Sequence, residues 1–346
     1  MLPIIKSASP SFESSTKKLL IIAEGFEKRS LKWISNRNNK TMFYEAIICK
    51  YSPSKKSRFD EMIQIVNQHS IHPPKVLEYN RFEPTIFEHK FREYIDSMSE
   101  IQEIIIDISV MSKLLIMIIL CSLGKFEKKV TLIYSEPMNW GPTEKKYHEI
   151  ISNRKFGTCI GLSSVGVGTV VRTPLLSSII MQNSPIYLIA FLSFNEQLIN
   201  VLINEISPTK LQVINHKCSR IKWREGAMLS IHKELIEENK DNESPSLVKS
   251  FELTDYESVF DELASIYRKN CYNYRIVVSP TGCKIHAVSC ALFKLCCPDV
   301  HVEYPTPESY LFDEYSSEKV SKVHEIVFDN LASLIVCLKK EYNLNG

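Results

Sequence analysis

The chain carries one strand-rich unit written twice. Residues 18–26, Lys-Leu-Leu-Ile-Ile-Ala-Glu-Gly-Phe, line up with residues 186–194, Ile-Tyr-Leu-Ile-Ala-Phe-Leu-Ser-Phe, at an offset of 168. Residues 104–113, Ile-Ile-Ile-Asp-Ile-Ser-Val-Met-Ser-Lys, line up with residues 276–284, Ile-Val-Val-Ser-Pro-Thr-Gly-Cys-Lys, and the closing Lys113 and Lys284 are 171 apart. Residues 131–137 and 301–307 match at 170. Independent chance matches each pick their own spacing, so three that hold nearly one offset imply two similar domains, with two similar sites facing a shared cleft.

A length of 346 residues suits two domains of about 100 to 200 residues, each able to bury a core. Lys and Arg number 42 against 40 for Asp and Glu, so no net field drives nonspecific binding to nucleic acid or membrane, and anion recognition has to be local. Ten cysteines are too sparse for a disulfide scaffold and show no zinc spacing; they read as reduced core thiols, and no metal or cofactor is expected. The first apolar run after Met1 is too short for a secretory signal, so the expected location is the cytoplasm. The most membrane-like stretch, residues 104–120, holds Asp107 and Lys113, which are costly in a bilayer; it reads as a buried strand, a turn and a helix.

Each copy opens on a continuous apolar run, residues 19–23 and 187–192, of the kind that a parallel sheet buries on both faces. Helices are predicted at 30–34 and 196–206, strands at 43–49 and 211–215, helices at 58–69 and 225–238, short edge strands at 76–79 and 251–253, and helices at 86–98 and 258–268. The repeated motif strands, their helices and a last Tyr-containing strand complete each copy. Strand alternating with helix over about 120 residues indicates an open α/β sheet. The domain reading is 1–137, a connecting segment 138–184 with a possible helix at 145–151 and a glycine-rich run, and 185–346 with a strand or short helix at 323–328 and a closing helix from 330. A solvated loop is expected over 239–246.

In such sheets, ligands bind beyond the carboxyl ends of the strands, where helix N-termini point free N–H groups outward. Ser109 and Thr281 fall where strand gives way to helix, an N-cap position. Lys113 and Lys284 follow in or near the first helical turn, where the helix dipole opposes a cation by roughly 0.3 to 1 kcal/mol. Repeating that placement points to an anion such as a phosphate, against the alternative of a lysine extending to solvent. Gly282 lets a backbone approach a phosphate closely, whereas the first copy has Val110-Met111 in that stretch and Asp107 where the second has Ser279, so the second half is the better phosphate binder. The loops Gly25-Phe26 and Ser193-Phe194 face the same edge; Phe26 and Phe194 are placed either to stack on bases or to pack under a turn. The run 161–169 lacks the lysine of a P-loop and reads as a flexible crossover. His148-Glu149 and His324-Glu325 read as surface helix residues, and the basic-aromatic cluster Lys217, Arg220, Lys222, Trp223 and Arg224 as solvated charge or a nucleotide contact.

A strand ending in Asp-x-Ser/Thr or Pro-Thr-Gly, followed by a lysine that opens a long apolar helix, resembles the ligand-binding motif of the CARF Rossmannoid domains, which sense cyclic oligonucleotides in prokaryotic defence. Two such units in one chain look like the SAVED arrangement or a tandem CARF protein, over most of residues 17–310. The resemblance implies an α/β chain of two tandem Rossmann-like domains with mainly parallel sheets, related by internal duplication. It implies a pocket lined by Ser109, Lys113, Thr281, Gly282 and Lys284 with Gly25, Phe26, Ser193 and Phe194, a nucleotide or cyclic oligonucleotide as ligand, and a protein partner that carries the effector activity. The first copy departs from the pattern by lacking the glycine. Two other readings stand beside it: a two-domain enzyme acting on a nucleotide or nucleotide sugar, with Asp107 as its candidate catalytic group, and a ligand-free scaffold subunit.

Overall fold

The computed structural model describes residues 1–7, 16–27, 29–35, 43–54, 58–155, 158–239, 247–311 and 319–344. Most of the loop expected over 239–246, together with Lys28 and Gly157, lies outside the described residues. The chain divides into two compact units, Met1–Trp140 with Ser316–Leu338, and Gly141–Tyr315 with Lys339–Gly346.

The first unit runs β1 (Lys6–Ser7), β2 (Lys18–Ala23), α1 (Lys32–Ser35), β3 (Glu45–Ser52), α2 (Phe59–His69), β4 (Lys75–Asn80), α3 (Thr85–Ser97), β5 (Glu103–Asp107), α4 (Lys113–Ser122) and β6 (Lys129–Pro137). The second runs α5 (Glu144–Ser152), β7 (Ser164–Val165), β8 (Thr169–Val171), β9 (Ile186–Phe191), α6 (Gln197–Ile206), β10 (Lys210–Lys217), α7 (Trp223–Ile231), α8 (Lys233–Glu238), β11 (Val248–Glu252), α9 (Tyr256–Asn270), β12 (Arg275–Ser279), α10 (Lys284–Cys296), β13 (His301–Val302), β14 (Tyr304–Thr306) and β15 (Ser309–Tyr310). The chain closes with β16 (Val320–Phe328) and α11 (Leu331–Glu341).

The result is a mixed α/β fold with a large, mostly parallel sheet. That sheet has the order β1-β16-β6-β5-β2-β3-β4, in which only the pairings of β16 with β6 and with β1 are antiparallel. A second sheet, β11-β10-β9-β12-β13, is parallel throughout. Counted within each unit, the parallel strands follow one order in both sheets, 3-2-1-4-5. The central strands β2 and β9 are covered on both faces, which is why they read as unbroken apolar runs.

On one face of the first sheet, Leu20, Ile22, Ile48, Ile105 and Ile133 pack with Met62 and Val66 of α2 and with Trp33 of α1. In the second, Leu188, Ala190, Val213 and Val277 pack with Ile199 and Leu202 of α6 and Met228 and Ile231 of α7. Burying each such aliphatic side chain contributes about 1.5 to 3 kcal/mol. The apolar stretch 104–120 divides into β5, a turn and α4, whose residues from Leu114 to Cys121 are all buried. Among the described residues no helix is long and apolar enough to cross a membrane.

Four elements differ from the sequence reading. The single helix expected over 225–238 breaks at His232, whose backbone (φ −94°, ψ 17°) leaves the helical region while its buried Nε2 meets the Ser193 carbonyl at 2.9 Å. The strand expected to close the second unit's sheet splits: β13 pairs with β12, and the chain then turns so that β14 pairs antiparallel with β8. The turn falls at Glu303, held from the side by Arg172 and His301. The glycine-rich run is no flexible crossover but supplies β7 and β8, with Gly166 at φ 69°. His324 is not on a surface helix; it is a buried residue of β16, 2.7 Å from Glu136 Oε2.

Candidate functional site

In a sheet of order 3-2-1-4-5 the loops leaving the first and fourth strands diverge to opposite sides, which opens a crevice at the carboxyl edge between them. In the first unit these loops follow β2 and β5 and contain Gly25, Phe26 and Ser109, with Asp107 at the end of β5 and Lys113 at the start of α4. In the second they follow β9 and β12 and contain Ser193, Phe194, Thr281 and Gly282, with Lys284 at the start of α10. The topology therefore gathers the sequence-derived candidates five to each edge.

At the first edge the polar groups bind one another. Asp107 Oδ1 accepts from the Ser109 N–H at 2.9 Å, while Oδ2 accepts from the Trp33 indole N–H at 2.9 Å and from the Leu31 N–H at 3.2 Å. Ser109 Oγ in turn accepts from the Ser135 N–H at 2.8 Å. Arg29 is buried; it donates to Glu27 through Nε at 2.8 Å and Nη2 at 3.1 Å, and to the Ser135 carbonyl through Nη1 at 2.6 Å.

Ser109 does not cap α4. A turn, Met111 N–H to Ile108 O, separates strand from helix, so Ser112 takes the N-cap and its Oγ accepts from the Leu115 N–H at 3.2 Å. The Ser112 N–H is occupied as well: it donates to the Tyr51 hydroxyl at 2.6 Å. A phenol oxygen thus sits at the helix N-terminus of the first unit, where an anion's oxygen was expected. Gly25 stands where the two loops meet, since a Cβ there would lie 2.8 Å from Val110 Cβ. Phe26 is half-buried, and so is Lys113, the first residue of α4.

The second edge is built differently. Thr281 is fully buried, donates through Oγ1 to the Phe191 carbonyl and does not cap α10. Cys283 does, its Sγ accepting from the His286 N–H at 3.4 Å. Gly282 packs against the end of β9, where a Cβ would approach Phe191 Cβ to 3.0 Å. Lys284 is the first residue of α10 and half-buried, the counterpart of Lys113. Ser193 Oγ and the Asn195 backbone bind each other, and Phe194 packs under the turn, 5% exposed, with the Arg224 guanidinium 4.3 Å over its ring.

Sequence reasoning missed three residues here: Tyr51, His286 and His216. Tyr51 and His216 occupy matching places, each two residues past the partner of the last residue of the first strand (Cys49 beside Ala23, Ile214 beside Phe191). His286 lies in the first turn of α10 and is buried, its ring 6.2 Å from Phe191 and 6.4 Å from His216. Its Nε2–H donates to the Glu252 carbonyl at 3.0 Å, and burial pushes its pKa down to about 4. Matching strand positions are the signal that could have singled out Tyr51 and His216.

A cavity of about 470 Å³ lies elsewhere in the second unit, beside α5, lined by Lys146, Asn153, Arg154, Thr158 and Cys159. Arg154 there is committed to Glu196 at 3.2 Å. Among the described residues, no group of three or more His, Cys, Asp or Glu side chains is arranged to hold a metal ion. No protein-family model matches the chain, and a comparison with curated proteins gave no match.

Proposed function

We propose that this chain is a cytoplasmic protein of two Rossmann-like domains, related by duplication, that binds a nucleotide or another phosphorylated ligand at the carboxyl edge of its sheets. Its role is that of a sensor or accessory subunit in a prokaryotic defence system, with the output carried by a protein partner. The observation that carries the reading is the pair Lys113 and Lys284: each is the first residue of the helix after the fourth strand, in sheets of one strand order. A lysine at that place works against the helix dipole, and an anion at the same N-terminus offsets the cost. The CARF-like resemblance of the motif supports a cyclic oligonucleotide as the ligand class. Isothermal titration of cyclic oligonucleotides and ordinary nucleotides into the wild type and Lys284→Ala tests it; binding that weakens in the variant is expected, and no binding of any member overturns it.

A second reading, a scaffold without a ligand, draws support from the inward commitment of Asp107, Ser109 and Thr281. Co-purification with a partner protein, combined with absent ligand binding, selects it. The enzyme reading loses ground on the same observation, because Asp107 already accepts three hydrogen bonds. Product formed from a nucleotide or nucleotide sugar, and lost in Asp107→Asn, reinstates it.

A further inference from the structure

We infer that the groove between α5 and residues 158–162 is a docking site for a partner protein, which lays an extended peptide segment there as a further strand. The site lies apart from the sheet edges, so it stands or falls independently of a ligand bound at them. The cavity of about 470 Å³ has α5 as one wall, through Glu149, Ile150 and neighbouring residues, and Thr158 to Gly161 as the other. Along the α5 wall, Lys146 and Asn153 stand seven positions apart, about 10 Å at the helical rise. That is the length of about three extended residues.

A strand is what fits because of the main chain on the second wall. The Glu196 N–H donates to the Ile160 carbonyl and the Leu162 N–H to the Phe194 carbonyl, both at 2.9 Å, and between these bonds Gly161 faces Asn195 as an antiparallel bridge. In a pair of that kind the residue's own N–H and C=O point away from its partner. Gly161 lines the groove, and so does Cys159, whose backbone groups take the same side in an extended chain. Among the described residues neither makes a backbone hydrogen bond. A free strand edge is a template for another strand, and an extended peptide brings donors and acceptors at the matching period.

The side chains define the peptide further. Arg154 donates through Nε to the Thr158 carbonyl and through Nη2 to Glu196 Oε1, each at 3.2 Å, and Glu234 lies 3.8 Å away. Its Nη1 makes no hydrogen bond among the described residues. Two acids already balance the guanidinium, so Nη1 suits a main-chain carbonyl and not a carboxylate, which those acids repel. Ile150, Ile160 and the exposed Val165 give the groove an apolar lining for one aliphatic side chain of the peptide. Gly161 leaves its part of the wall as bare main chain.

The test selects a random decapeptide library, displayed on phage, against the full chain and measures the enriched peptides by fluorescence anisotropy. The proteins are the wild type and Glu149→Trp; Glu149 is exposed and its pairing with Lys145 is a surface contact of little weight, so the indole fills the groove while the fold is retained, as matching circular dichroism melts verify. The enriched peptides are expected to bind the wild type and not Glu149→Trp, and to slow iodoacetamide alkylation of Cys159 while the equally exposed Cys337 reacts as before. N-methylation along the peptide should weaken binding about two- to tenfold at every second residue and leave the residues between unaffected, because alternate N–H groups face the groove wall. No enriched peptide, or equal binding to Glu149→Trp, overturns the site. Binding in the groove without the alternation, as by a helical peptide, overturns strand addition. Glu149 is remote in sequence from the strand ends that hold Lys113 and Lys284, so the nucleotide titrations succeed or fail separately.

Discussion

Asp107, at the end of β5, accepts the indole N–H of Trp33 at 2.9 Å, and through that bond the loop after the first strand is fastened to the fourth. Both partners are buried, so the bond is shielded from water. Trp33→Phe keeps most of the ring volume and removes the donor; a loss of about 1.5 to 3 kcal/mol in urea unfolding is expected. Asp107→Asn should cost at least as much, since an amide cannot accept from all three donors. The two substitutions break one shared bond, so the double variant should lose less than the sum; strict additivity would show that the bond carries no stability.

Acid should weaken the fold before it reaches the carboxylates. His232 and His286 are both pushed down to about 4 by burial, so the folded state holds them neutral while the unfolded chain takes up protons below about 6.5. Their contribution is intact above that pH, declines by about 1.4 kcal/mol per pH unit for each histidine, and levels off near pH 4. Burial raises the Glu303 carboxyl, but the bonds from His301 and Arg172 outweigh it and hold the group below its ordinary value, so its share is lost only at lower pH. Urea midpoints measured from pH 7 to 4 check this. His286→Gln, which retains a donor for the Glu252 carbonyl, should flatten the slope by about one proton, and an unchanged slope rules out His286 as a source.

The alternation of strands and helices was legible because it rests on local periodicity: β2, β9, α3 and α9 lie within a few residues of their expected positions. What the sequence concealed depends on distance along the chain. The pairing of β16 with β6 joins His324 to Tyr134 and Glu136, and no periodicity reports a partner that remote. The caps failed for a different reason. Ser109 and Ser112 are equally good N-caps by type, and the length of the turn between them decides; Cys283 belongs to a residue type seldom considered for that role. Lys113 and Lys284 were placed correctly because the strand end and the apolar helix bracket them closely.

Gly25 and Val110 offer a test of how tightly the first edge is closed. A methyl group on Gly25 would stand 2.8 Å from Val110 Cβ, inside van der Waals contact, so Gly25→Ala should destabilise by about 1 to 3 kcal/mol. Adding Val110→Ala removes the obstructing methyls and should recover part of that loss in a thermal melt. No recovery would mean that the strain falls on the backbone of the loop instead.

The two lysines should not contribute equally to binding. At the first edge the Tyr51 phenol already occupies the Ser112 N–H, and Val110 closes onto Gly25. At the second edge the loop after β12 carries Gly282, the cap is the Cys283 thiol, and the cations of the β10 loop lie on the other side of β9. Lys284→Ala should therefore weaken an anionic ligand by roughly ten- to a hundredfold, the value of one charge-assisted hydrogen bond, and Lys113→Ala by much less. Calorimetry of the two variants side by side separates the cases. Equal losses would indicate a symmetric ligand that engages both units alike, and a larger loss at Lys113 would mean that the Tyr51 phenol gives way to the ligand instead of standing in for it.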